Sequence, residues 1–162
     1  MIVVSDTTPL NYLVLIKADH VLPALFGQVI APPIVLSEMQ HAKAPAQVQS
    51  WAKNAPAWLD IRSPTIVPQL GALGPGESAA IALAQELNAD AILIDERDGT
   101  AIATRMGIKV TGTLAILGMA AEQDLISLPA AIADLRRTTF RGPREFIEEL
   151  LRLDLARRSR TQ

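Results

Sequence analysis

Five acidic residues, Asp6, Glu38, Glu77, Asp95 and Asp98, carry the chemistry this chain could do. Asp6 follows Ile2-Val3-Val4, a β-branched run that reads as a buried strand. Asp95 follows a second buried strand, Ala91 to Ile94, and Asp98 comes three residues later. Both strand-end aspartates therefore sit where open α/β sheets bind their ligands, off the carboxyl ends of the strands. Glu38 lies in a helix expected from Ile34 onward. At the helical period it falls inside the apolar arc of Ile34, Val35 and Met39, where a solvated glutamate should not be. Glu77 likewise shares the face of Ala80, Ile81 and Ala84, whereas Glu86 falls on the opposite, solvent side.

Each acid has an ordinary structural alternative. Glu77 could stabilise a helix N-terminus, Asp98 could be the N-cap of the helix that follows, and Asp95 could be a turn residue. Glu38 is harder to explain away, because buried glutamates are rare unless paired. Jointly the acids imply more. Two carboxylates ~5 Å apart at an effective dielectric of ~20 repel by about 3 kcal/mol. Four gathered together would exceed the typical domain stability of about 5–15 kcal/mol unless some protonate or a cation enters. An all-oxygen donor set suits Mg²⁺ or Mn²⁺ and not zinc. Such ions bind phosphate oxygens and lower the pKa of an attacking water.

The elements that must position these acids alternate between strand and helix. Pro9 favours a first helical turn, with Thr8 as N-cap, over Pro9–Lys17, and a short helix follows over Asp19–Phe26. Val29–Ala31 is a strand stopped by Pro32-Pro33. Helices are expected over Ile34–His41 and Ala44–Asn54, an edge strand over Trp58–Arg62, and a Pro/Gly-rich loop over Ser63–Gly76. The pattern continues with helix Glu77–Asn88, strand Ala91–Ile94, helix Gly99–Met106 and strand Lys109–Thr111. Helices Leu114–Glu122, Pro129–Arg137 and Arg144–Ala156 close the chain. This alternation predicts an α/β fold, a central mostly parallel sheet between two helical layers.

The 162 residues suffice for one domain with a proper core. The absence of cysteine excludes a disulfide scaffold, a Cys-ligated zinc site and a thiol nucleophile, and fits a reducing cytoplasm. No apolar run reaches the ~20 residues needed to cross a membrane, and no signal peptide is expected. Charge is unevenly spread. Residues 136–162 hold eight arginines against four acids, net +4, whereas residues 1–135 hold seven basic residues against thirteen acids, net −6. An acidic body binds a polyanion only with the help of a cation. The chain divides at Thr138–Pro143 into a body, 1–137, and a basic C-terminal helical arm, 138–162, expected to belong to the same domain. His20 and His41 read as surface or packing residues, and Trp51 and Trp58 as packing residues. Arg136, Arg137, Arg141 and Arg144 read as a solvated face, and Arg157, Arg158 and Arg160 as a frayed tail.

Five ordered segments carry a family resemblance: Val4-Ser5-Asp6-Thr7-Thr8-Pro9-Leu10, Pro32 to Glu38, Leu73 to Ile81, Ile92 to Asp98 and Val110 to Leu114. Together they resemble the PIN-domain nucleases, and within them the VapC-like prokaryotic proteins. The resemblance covers residues 1–126 and none of the basic arm. It implies a Rossmann-like α/β/α fold and Mg²⁺- or Mn²⁺-dependent endonucleolytic cleavage of single-stranded RNA, by the toxin of a toxin–antitoxin pair. It implies that Asp6, Glu38, Glu77 and Asp95 are the catalytic, metal-binding acids, with Asp98 as an accessory ligand. Thr7 or Thr113 would orient a water or a phosphate. Glu77 departs from the family, many of whose members carry aspartate there. The expected partners are RNA, an antitoxin protein and a second copy of the chain, with no membrane. A phosphoacceptor receiver-like domain also uses strand-end aspartates, but such domains resemble one another in a lysine after the last core strand, and here Lys109 precedes Val110. A non-catalytic binding module of the same fold is the remaining alternative.

Overall fold

The computed structural model describes residues 1–161. Five short strands, β1 (Val3–Ser5), β2 (Val29–Ala31), β3 (Leu59–Ile61), β4 (Ala91–Leu93) and β5 (Val110–Thr111), form one sheet in the order β3-β2-β1-β4-β5. Every pairing is parallel, and Val4 pairs with Ile30 on one side and Ile92 on the other. The helices are α1 (Thr7–Leu15), α2 (Val21–Phe26), α3 (Pro33–Met39), α4 (Ala46–Lys53), α5 (Pro75–Glu86), α6 (Arg97–Arg105), α7 (Thr113–Glu122), α8 (Leu128–Arg136) and α9 (Arg144–Arg160).

Strand residues alternate between two apolar layers, as the two-residue period requires. Val3, Val29, Ala31, Ala91 and Leu93 pack with α1, α2, α3, α4, α7 and α8. Val4, Ile30, Ile92 and Ile94 pack with α5 and α6. The result is the expected three-layer α/β/α arrangement, and each fully buried Leu or Ile contributes about 1.5–3 kcal/mol. None of the helices is long and apolar enough to cross a membrane among the described residues.

The strand order has a direct consequence for the acids. The chain winds outward from β1 through β2 to β3, then returns to lay β4 on the other side of β1. Between β1 and β4 the winding reverses, which opens a crevice at their carboxyl ends. Asp6 leaves β1 there and its N–H donates to the Leu93 carbonyl at 2.9 Å, while Asp95 and Glu96 leave β4 beside it.

Three local expectations need correction. Helix α1 begins at Thr7 with Asp6, not Thr8, at the N-cap, and the Asp6 side chain makes no capping bond. Pro9 is simply tolerated in the first turn, whose N–H groups have no intrahelical partner. Helix α6 begins at Arg97 with Glu96 at the extended N-cap position, so Asp98 is an exposed first-turn acid and not the cap. Helix α9 runs to Arg160, past the expected end at Ala156, and its basic end is anchored. Buried Asp154 accepts from Arg157 at 3.2 Å and pairs with Arg158 at 2.9 Å, and Arg157 also pairs with Asp124. These are the one-turn spacings at which helical side chains meet. Helix α9 lies against α7 and α8, and its Ile147 is buried in the larger core. Trp51 and Trp58 pack together with ring centroids 6.0 Å apart, and the Trp51 Nε1 donates to Asp19 at 3.0 Å.

Candidate metal centre

Four helix N-termini, those of α1, α5, α6 and α7, surround the crevice, and the acids are distributed among them. Glu38, on α3, reaches across to two of them. Its Oε2 accepts from the Thr7 hydroxyl at 2.5 Å and its Oε1 from the Gly76 N–H at 3.0 Å. Gly76 permits this approach, since a Cβ there would stand 2.5 Å from Glu38 Oε2 and 2.6 Å from Oε1. Asp95 is similarly engaged. Thr113 donates to it twice, from its N–H at 2.8 Å and from its hydroxyl at 2.6 Å, so Asp95 anchors the start of α7. Gly112 leaves room for that carboxylate, because a Cβ would stand 2.9 Å from Asp95 Oδ1.

Asp6, Glu77 and Glu96 are different. Glu77 Oε1 accepts from the Gly74 N–H at 3.4 Å, which realises the N-terminal stabilising role open to it, but its Oε2 is buried without any hydrogen-bond partner. Glu96 Oε1 accepts from the Thr8 hydroxyl, and its Oε2 is also buried and unpartnered. Asp6 is 2% exposed, with Oδ1 in the same condition. With every carboxyl ionised, three orphaned carboxylate oxygens in one crevice are costly, since a buried polar group without a partner loses about 1–3 kcal/mol. None of the ion pairs among the described residues involves Asp6, Glu38, Glu77, Asp95 or Glu96.

The electrostatics follow from this geometry. Burial pushes the Asp6 carboxyl up to about 8, opposed by the Thr7 amide and reinforced by the charges of Glu96 and Glu77 and by the hydrogen bond that protonated Asp6 gives the Glu96 carboxylate. Glu77 is raised by desolvation, then by Glu96, with Asp98 and Glu38 adding to the effect. Asp95 is raised chiefly by desolvation, against the hydrogen bonds from Thr113, and Glu96 raises it further. Glu96 is thus the shared neighbour of Asp6, Glu77 and Asp95. It lies inside one of the segments that carry the family resemblance, yet its sequence position marks it only as a residue between two other acids. The signal that could have singled it out is the helix start at Arg97, which makes Glu96 an N-cap aimed at the crevice.

Among the described residues no three of these side chains already stand close enough to hold a metal ion. The chemistry of the donors nevertheless fits a hard divalent cation: all are carboxylate oxygens, three have an oxygen with no protein partner, and Glu38 and Asp95 each retain unused lone pairs. His20 and His41 are exposed, the former at the N-cap position of α2 and the latter accepting from the Lys43 N–H at 3.1 Å.

A glycine substitution separates architecture from site geometry. Gly76 is the second residue of α5, where alanine gains at most about 0.5–1 kcal/mol over glycine, and the three atoms nearest an added Cβ all belong to the Glu38 carboxylate. Gly76→Ala should therefore leave the melting temperature within about 3 °C of the parent, yet lower any metal-dependent activity by roughly 10- to 100-fold through misplacement of Glu38. Thermal melts and turnover rates read the two effects. An unchanged rate would show that the position of Glu38 does not matter.

Comparison with known proteins agrees with this architecture. The family model described as DUF3368, PIN domain, matches residues 2–155. Among solved structures the chain is similar to the PilT N-terminus domain protein SSO1118 from the hyperthermophilic archaeon Sulfolobus solfataricus P2. Identity is 19% and the TM-score 0.55, over 74% of this chain and 93% of that one, a likeness of fold. A search of curated proteins returned no match. With nearly the whole sequence accounted for by the family match, the chain belongs to the PIN-domain family.

Proposed function

We propose that this protein is a divalent-metal-dependent endoribonuclease that hydrolyses phosphodiester bonds of single-stranded RNA. The observation that carries the reading is the trio of buried, unpartnered carboxylate oxygens, Asp6 Oδ1, Glu77 Oε2 and Glu96 Oε2, at the switch point of the sheet. On this reading those three acids hold the ion, and Glu38 and Asp95 complete its surroundings through their remaining lone pairs. Asp98 stands outside as an exposed charge that biases Glu77. Bound there, Mg²⁺ or Mn²⁺ supplies charge neutralisation on the phosphodiester and a lowered pKa for the attacking water.

The chain's own residues do the positioning. Thr7 and Gly76 fix Glu38, tying the starts of α1 and α5 to α3. Thr113 fixes Asp95. Thr8 fixes one oxygen of Glu96 and leaves the other directed to the crevice. In the metal-free state Asp6, with its carboxyl pushed up to about 8, carries the proton at neutral pH.

The test is cleavage of a single-stranded RNA by the purified chain in Mg²⁺ or Mn²⁺, with 5′-phosphate and 3′-hydroxyl ends on the products. RNA retained without any metal-dependent cleavage favours the non-catalytic binding module. The resemblance to VapC-like proteins further supports a toxin role neutralised by an antitoxin protein. Induced expression should then arrest growth, and Asp6→Asn should relieve the arrest.

A further inference from the structure

The segment 138–143 and the first turn of α9 build one wall of a groove that opens beside Asp95. Asp95, Leu114, Phe140, Arg141 and Phe146 line it around a cavity of about 270 Å³. This wall is rigid. The Phe140 ring packs edge-on against Tyr12, with centroids 5.1 Å apart and an interplanar angle of 83°, and the Tyr12 hydroxyl shares a 2.9 Å hydrogen bond with Thr139. A Cβ at Gly142 would come 2.8 Å from the Phe140 ring and 2.9 Å from Leu114, so the turn is pressed onto α7 without slack.

Two features of the groove have no structural use within the chain. Phe146 is 43% exposed, an uncompensated aromatic face at the groove's edge. Arg141 pairs with no carboxylate among the described residues, and its Nη1 donates only to the neighbouring Phe140 carbonyl at 3.1 Å. Arg141 also stands where three depressions meet. On one side it borders a cavity shared with Arg136 and Arg144, and on another a polar cleft shared with Lys43 and Arg137. An acidic pocket thus adjoins an aromatic platform and an arginine rim, of which Arg137 and Arg144 pair with Asp134 and Glu148 while Arg141 pairs with no carboxylate among the described residues. Proteins hold single-stranded nucleic acid by that combination, a positive track for the backbone with aromatic rings for the bases.

We propose that this groove is the path of the RNA strand leading to the acidic crevice, with Phe146 stacking on a base and Arg141 holding a neighbouring phosphate. The identity of the polymer rests on the nuclease reading. The groove itself rests on the juxtaposition of Asp95, Arg141 and Phe146. It also gives the basic C-terminal arm a role: the positive charge that the acidic body lacks is brought to the crevice by residues outside the acid cluster.

The experiment is fluorescence anisotropy of a labelled ten-nucleotide single-stranded RNA with the full chain in Ca²⁺, a hard cation for the same oxygen donors, over a salt series. Mn²⁺-dependent cleavage is measured separately. Phe146→Ala should weaken binding about 5- to 100-fold and Phe146→Tyr should restore it. Arg141→Gln should weaken binding and lower the salt slope by about 0.7, a loss that Arg141→Lys should spare. Arg152→Gln, which removes an exposed α9 arginine paired with Glu149 away from the groove, should bind as the parent does. Melting temperatures show that each variant is folded, and Phe146→Leu keeps the apolar volume if the alanine variant fails. Equal binding by Phe146→Leu, Arg141→Gln and the parent overturns the proposal. So does a parent that ignores the oligonucleotide, which would leave the groove to a protein partner. A parent that binds with these losses but never cleaves supports the groove and removes the nuclease reading.

Discussion

Asp6→Asn should abolish metal-dependent RNA cleavage and, at the same time, make the metal-free protein more stable. The loss of rate should reach about 1000-fold, equivalent to about 4 kcal/mol of transition-state stabilisation. The gain in stability arises because Asp6 is 2% exposed with an unpartnered oxygen and acidic neighbours. Folding must hold its carboxyl protonated up to about pH 8, whereas the unfolded chain ionises it near the ordinary value of 3.8. Its contribution to stability is therefore intact below pH 4, declines as pH rises toward 8, and is constant above that. The variant should be no more stable than the parent near pH 4 and should overtake it toward pH 8. There asparagine should gain about 1–2 kcal/mol, or about 5 °C, its buried amide keeping some desolvation cost of its own. Calorimetry in EDTA across this range measures the divergence. Divalent cation at 100 times its Kd should stabilise the parent by about 2.7 kcal/mol and the variant far less. An asparagine variant that is less stable than the parent at pH 8, or that cleaves at the parental rate, contradicts this account of the pocket.

The legibility of this fold in the sequence follows the range of the interactions involved. The apolar runs before Asp6 and Asp95 signal strands because burial on both faces of a sheet is a local demand, and the strands lie within one residue of those runs. The inward face of Glu38 is legible from helical periodicity, and the hydrogen bonds to Thr7 and Gly76 account for a glutamate there. The order that sets β1 between β2 and β4 is not legible in any window of sequence, because it depends on pairing residues nearly ninety positions apart, such as Val4 with Ile92. Helix starts were the weakest expectation. Asp98-Gly99 resembles a cap, yet the backbone turns helical two residues earlier, and Glu96 rather than Asp98 takes the extended position. That two-residue displacement hides the role of Glu96. At the other end of the chain, the spacing of Asp154 with Arg157 and Arg158 was readable as a pair of one-turn contacts. The high charge of the segment instead invites the reading of a loose tail, and the burial of Asp154 excludes it.

Glu96→Gln should cost cleavage about 100-fold, and Asp98→Asn less than about 5-fold, although the resemblance alone points to Asp98 as the accessory ligand. Glutamine preserves the length of the side chain and an oxygen to accept from Thr8, so the start of α6 should hold its place. What it removes is the charge that acts on Asp6, Glu77 and Asp95 together. An amide oxygen is a weaker ligand for a hard cation than a carboxylate. The metal concentration for half-maximal rate should therefore rise about tenfold or more in Glu96→Gln, a shift that a purely structural change would not produce. Asp98 is exposed, and its charge reaches only Glu77 among the shifted acids, below Glu96 in strength. Its removal should relax Glu77 slightly and leave the metal requirement near that of the parent. Metal titrations of the three proteins at fixed RNA decide the matter. If Asp98→Asn shows the larger loss and the larger metal shift, α6 presents its second residue to the ion, and the crevice drawn around Glu96 is the wrong one.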